Sequence, residues 1–109
     1  MTSIRDLNEL LIEHNCLRSL SVTMNKDDYS YDLTLFMSNS EEVNASFLFV
    51  SFFDVSSFSS SEIGGGLTQF MHLNVRELEF GYDRVNYQLS ELEDDRISFA
   101  FSSFDIGQR

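Results

Sequence analysis

From Ser19 onward, apolar side chains recur at every second position, and this alternation constrains the chain more than any other feature. Leu20, Val22 and Met24 alternate with Ser19, Ser21 and Thr23. A run of turn-forming residues follows, Asn25-Lys26-Asp27-Asp28. Then Tyr29, Tyr31, Leu33, Leu35 and Met37 alternate with Ser30, Asp32 and Thr34. Successive side chains of a strand point to opposite faces, so these runs predict a hairpin with strands at 18–24 and 29–37. Ser38 to Glu42 reads as a second turn. Val43, Ala45, Phe47 and Phe49 begin a third strand that runs into Phe52-Phe53-Asp54-Val55. Leu48, Val50 and Phe52 fill its other face, which predicts a central strand covered on both sides. Ser56 to Gly66 reads as a flexible loop. Further strands are expected at 69–78, around Val85, Tyr87 and Leu89, and at Ile97, Phe99 and Phe101, with Phe104 and Ile106 closing the chain.

Only the first residues follow a different period. Ile4, Leu7, Leu10, Leu11 and His14 form one stripe at helical spacing, and Ser3 followed by Asp6 fits a capping pattern, so a helix is predicted over 3–15. Asn15 is suited to end it in a left-handed conformation. A helix this short is marginal alone, so its stripe must pack on the strands. The chain has 109 residues, enough for one core and too few for two. The expected fold is α+β, mainly β: a single domain, 1–109, with the helix packed on an antiparallel sheet or small sandwich of about six strands spanning 18–106. Its aromatic residues, 11 Phe and 4 Tyr, suit half-buried pleated surfaces.

Charge narrows the functional classes. The net charge is −11, from 18 acids against 7 bases, and Lys26 is the only lysine. Such a surface repels phosphates, so neither nucleic acid nor an anionic membrane is an expected partner. It favours a basic protein, which opposite charge steers into contact. Acidity also serves solubility alone, although −11 exceeds the ~2–8 usual for a small domain. The lone cysteine, Cys16, allows no internal disulfide and suits the reducing cytoplasm. Arg5, Asp6, Glu9 and Glu13 interrupt any apolar leader, and no stretch of about 18 apolar residues predicts a membrane span.

Motifs for catalysis are weak. Gly64-Gly65-Gly66 is followed by Leu67-Thr68-Gln69, without the lysine a phosphate loop requires. His14 and Cys16 stand two positions apart, where helical geometry separates side chains. His14 is expected at the helix end and His72 on the solvated face of a strand. The acidic tips lack the alternating oxygen ligands and glycine of a calcium loop. Neither catalytic residues, nor a metal, nor a cofactor is expected. The acids read better as a binding surface. Glu91, Glu93, Asp94 and Asp95 place four acids within five positions of a projecting turn. Glu77, Glu79 and Asp83 are expected to form its rim, and Asp27 and Asp28, with Glu41 and Glu42, an alternative site.

A family resemblance bears on the same residues. The segment Phe49-Val50-Ser51-Phe52-Phe53-Asp54-Val55-Ser56-Ser57-Phe58 resembles a strand of small bacterial immunity proteins. Glu93-Asp94-Asp95-Arg96-Ile97-Ser98-Phe99-Ala100-Phe101 is similar to a strand near their C-terminus. The tracts Leu73 to Leu78 and Asn86 to Leu89 are similar in layout. The resemblance covers about residues 45–106 and rests mostly on strand patterning. It implies an immunity protein of a contact-dependent inhibition or polymorphic toxin system, an antitoxin that neutralises a cognate toxin by binding it. A basic nuclease toxin would match the charge, since nucleases must bind phosphates. Other expectations are a general binding or structural module of a larger assembly and an acidic mimic of DNA.

Overall fold

The computed structural model describes residues 3–78 and 86–108. Among these are one helix, α1 (Ile4–Glu13), and eight strands: β1 (Cys16–Met24), β2 (Tyr31–Ser38), β3 (Phe47–Phe53), β4 (Ser56–Ser60), β5 (Leu73–Glu77), β6 (Tyr87–Glu91), β7 (Ile97–Phe101) and β8 (Ser103–Gln108). They form two four-stranded sheets, ordered β1-β2-β3-β8 and β4-β7-β6-β5, and every neighbouring pair is antiparallel. The chain is therefore mainly β with a helix packed on it, as its periodicities predict.

The alternation explains where the core lies. Leu33, Leu35 and Met37 of β2 and Leu48, Val50 and Phe52 of β3 are fully buried. They share one cluster with Leu73 and Val75 of β5, Leu89 of β6, and Ile97, Phe99 and Phe101 of β7. The Phe52 ring meets Phe99 at 5.0 Å and Phe101 at 4.7 Å, both edge-on, so aromatic packing joins the two sheets directly. Leu7 and Leu11 of α1 enter the same core. Ser3 Oγ accepts from the Asp6 amide at 3.1 Å, the cap that its sequence suggests. The helix ends at Glu13, and its cap is His14. Asn15 instead gives its carbonyl to the Phe70 amide at 2.9 Å.

Two corners carry the chain from one sheet to the other. β3 turns into β4 at Asp54 and Val55, where Asp54 takes a positive φ of 58°. β7 turns into β8 at Ser102, whose amide and hydroxyl both donate to the Phe53 carbonyl, at 3.0 and 3.2 Å. At the far end of β1, Cys16 bridges to Gln69, and the Leu17 amide donates to the Thr68 carbonyl at 2.9 Å.

Several boundaries differ from the alternation. The third strand begins at Phe47, because the 39–46 loop is pinched shut: the Asn39 amide donates to the Ser46 carbonyl, and the Asn39 side chain accepts from the Ser46 amide. Val43 is consequently 98% exposed. That strand is central in its sheet but is not covered on both faces. Its outer face carries Phe47 and Phe49, half-buried, against Phe36 and the Arg18 guanidinium. Residues 56–60, read as loop, form an edge strand. The fourth expected strand shortens to β5, because the backbone reverses at His72, φ 64°, and Thr68–Phe70 serve the contact with β1 instead. Val85 lies outside the described residues. The closing residues pair with β3 as a strand of their own.

Candidate partner-binding surfaces

The acidic turn between β6 and β7 rests on an ion pair beneath it. Glu91 ends β6 in phase with Leu89, so its side chain points inward and is fully buried. Its Oε1 accepts from the Arg96 amide and Nε, each at 2.9 Å. Its Oε2 accepts from Arg96 Nη2 at 2.6 Å and the Met71 amide at 2.7 Å. Arg96 also donates to the Gln69 carbonyl and lies over the Phe70 ring. Burial pushes the Glu91 carboxyl up most strongly, but the hydrogen bonds from Arg96 and Met71 together outweigh it and hold it below the ordinary glutamate value. The hydrogen bond to Glu91 raises the Arg96 guanidinium in turn. Glu91 is therefore corrected from partner-binding acid to internal anchor: its carboxylate has no open side for a partner cation.

The remaining tip residues do project. Leu92, Glu93, Asp94 and Asp95 are all exposed, and Asp95 takes a positive φ of 52° to close the turn. Asp94 lies 3.7 Å from Arg96, at the solvent end of the pair. The expected rim is not assembled around them. Glu77 is exposed but pairs with Tyr87, while Leu73 pairs with Glu91. That places Glu77 four positions along the ladder from Glu91, about 14 Å away. Glu79 and Asp83 lie outside the described residues.

The alternative acids do not form one site either. Asp27 and Asp28 occupy the turn before β2, and Glu41 and Glu42 the loop after it. The eight residues of β2 put them at opposite ends of the sheet, about 26 Å apart. Asp28 also accepts from the Ser30 amide and hydroxyl, so it shapes the turn that it charges.

The residues considered for chemistry fall in different places. His14 is buried: Nδ1 contacts the Leu10 carbonyl at 2.9 Å and Nε2 the Ser46 hydroxyl at 3.2 Å, so it braces the helix end against the 39–46 loop. His72 is exposed at a turn preceding β5, not within a strand. Cys16 is buried beside Asn15 and Gln69. Among the described residues, no three His, Cys, Asp or Glu side chains gather into a metal-binding group, and no helix is long and apolar enough to cross a membrane. Gly64, Gly65 and Gly66 all take positive φ in open space, which suits an exposed turn.

One surface carries no acid motif and is invisible to a search for charge. Between edge strands β1 and β4, apolar side chains are left uncovered: Val22, Met24, Tyr31 and Phe58 are all more than 40% exposed. Comparison with family models, with curated proteins and with solved structures found no match for this chain.

Proposed function

We propose that this chain works by binding, as an immunity-type protein that neutralises a basic toxin domain in the cytoplasm by covering it. A nuclease domain is the partner its charge suits best, and no reaction is catalysed in this reading. The observation that carries the proposal is an acidic surface left uncompensated by its own bases. Of the bases, Arg96 is committed to Glu91. Arg18 donates to Ser38, to the Ser40 carbonyl and to the Glu42 carbonyl, and Arg76 to Gln88. The bases are already counted in the net charge of −11, so these contacts fix where the cations sit and leave the acids in excess. The resulting field steers a cationic protein into contact and discriminates against acidic ones. Glu93, Asp94 and Asp95, on a braced turn, are the leading contact residues, with Asp27 and Asp28 and the separate Glu77 as further sites of attraction.

The experiment is co-expression with the toxin domain encoded beside this chain. Co-purification of the two, restored growth, and an association rate that falls as salt rises are the expected results. Absence of a complex together with unrelieved toxicity would reject the proposal.

A further inference from the structure

The mouth between β1 and β4 exposes side chains that the rest of their sheets bury. Directly paired residues of antiparallel strands share a face. Leu20 and Val22 lie opposite Leu35 and Leu33, both fully buried, so β1 turns the same face toward the core. Yet Val22 is 45% exposed: Ser56–Phe58 of β4 border it across a gap and do not cover it. Across the gap, Phe58 stacks on the core ring of Phe99 and still presents its outer side to solvent. Two adjoining cavities meet at Phe58: one of about 440 Å³ bordered by Val22 and Tyr31, the other of about 450 Å³ bordered by Leu20 and Ile63.

The backbone beside this mouth is equally open. β1 pairs with β2 along one edge, and its other edge is met at Cys16, by Gln69. Beyond the bulge between Leu17 and Ser19, no described strand other than β2 is hydrogen-bonded to Ser19–Met24, and β4 stands across the gap without pairing. These six residues leave an edge of about 20 Å whose outward backbone groups are free to pair. Such edges accept an extended segment, with pockets for its alternate side chains.

We propose that a cationic, extended segment of the protein partner adds as a strand beside Ser19–Met24 and covers the Val22–Phe58 mouth with its apolar side chains. This rests on the binding reading above and names the element of the partner that is recognised. Charge selects the occupant. Asp27 stands in the turn beyond Met24 beside Lys26, and Glu62 precedes Ile63 at the other end of the mouth, where Arg96 faces it, so the excess of acids over the whole chain, −11, sets the sign of the field there. Arg18 is turned away, onto Phe47 and the Ser38–Glu42 loop. A second copy of this chain would bring another −11 charges to the same edge and is disfavoured.

The test uses the full chain and a synthetic eight-residue peptide of alternating lysine and valine, with amide exchange followed by NMR. The expected result is slowed exchange across Ser19–Met24 and at least ten-fold weaker peptide binding by Val22→Lys. Phe58→Ser provides a second variant, and circular dichroism checks that both remain folded. Protection confined to other strands, equal binding of a proline-interrupted peptide of the same charge, or undiminished binding by both folded variants would overturn the proposal. With the toxin itself, unimpaired neutralisation by both variants would refute strand addition and leave the immunity reading standing. Failure of the wild-type chain to bind any toxin, with the peptide still protected at β1, would do the reverse.

Discussion

Replacing Glu91 with alanine tests whether the acidic turn is built on a buried anchor. The substitution removes the acceptor of four hydrogen bonds, from Met71 N, Arg96 N, Arg96 Nε and Arg96 Nη2. Breaking a buried pair from one side costs about 3–5 kcal/mol, because the partner charge and the buried amides lose their compensation. Arg96 retains the Gln69 carbonyl and reaches some water, its side chain being 16% exposed, which places the loss near the lower end, at about 3 kcal/mol. With an ordinary urea slope of about 1.5 kcal/mol/M, the unfolding midpoint should fall by about 2 M at neutral pH. Glu91→Gln keeps one acceptor oxygen and should lose roughly half as much. The pH dependence has a defined sign. The folded carboxyl lies below its ordinary value, so its contribution is complete above that value and disappears as pH falls through the folded one. The stability gap between wild type and Glu91→Gln should therefore narrow in acid. A loss below about 1 kcal/mol for Glu91→Ala at pH 7, or a gap that widens in acid, would refute the anchor.

Reversing Glu93, Asp94 and Asp95 together to lysine should lower unfolding stability by about 1–2 kcal/mol, since all three are solvated but Asp95 holds a left-handed turn position and Asp94 faces Arg96. Calorimetry with the toxin partner should nevertheless show binding weakened by at least ~2 kcal/mol, and unchanged affinity would move the contact elsewhere. Phe52→Ala should cost about 3–5 kcal/mol in urea unfolding, since its ring fills the junction between the sheets against Phe99 and Phe101. Ser3→Ala should cost about 1 kcal/mol by loss of the cap to Asp6, and a neutral outcome would mean that α1 is held by its core contacts and the Asn8–Val75 hydrogen bonds without the cap.

The period of the sequence carried the class of fold, the capped helix and the inward faces of the central strands. It failed where other forces set the backbone. Ser56–Ser60 has a single apolar side chain, Phe58, so no alternation marks it, and its pairing with β7 is what makes it a strand. Val43 continues the alternation perfectly but is lifted off the sheet by the Asn39–Ser46 hydrogen bonds. Glu91 shows the same limit at the site. Composition groups it with Glu93, Asp94 and Asp95, whereas the phase of Tyr87 and Leu89 points it inward, and Arg96 is the lone base in the run. Phase and a lone countercharge were the available signal, and charge density concealed it. The uncovered mouth at β1 was not legible at all, because exposure of Val22 depends on the gap left between β1 and β4, strands that lie in different sheets.

The last strand has a bearing on how the molecule is made. β8 lies beside β3, so Phe52 pairs with Phe104 and Leu48 with Gln108, partners more than fifty positions apart in the chain. During synthesis β3, a strand with four phenylalanines, emerges long before this neighbour exists, and its outer edge stays bare in the meantime. Pairings of such separation form slowly and leave the nascent chain open to wrong partners. β3 therefore leaves the ribosome in a half-built sheet, and the segment that seals it follows some fifty residues later.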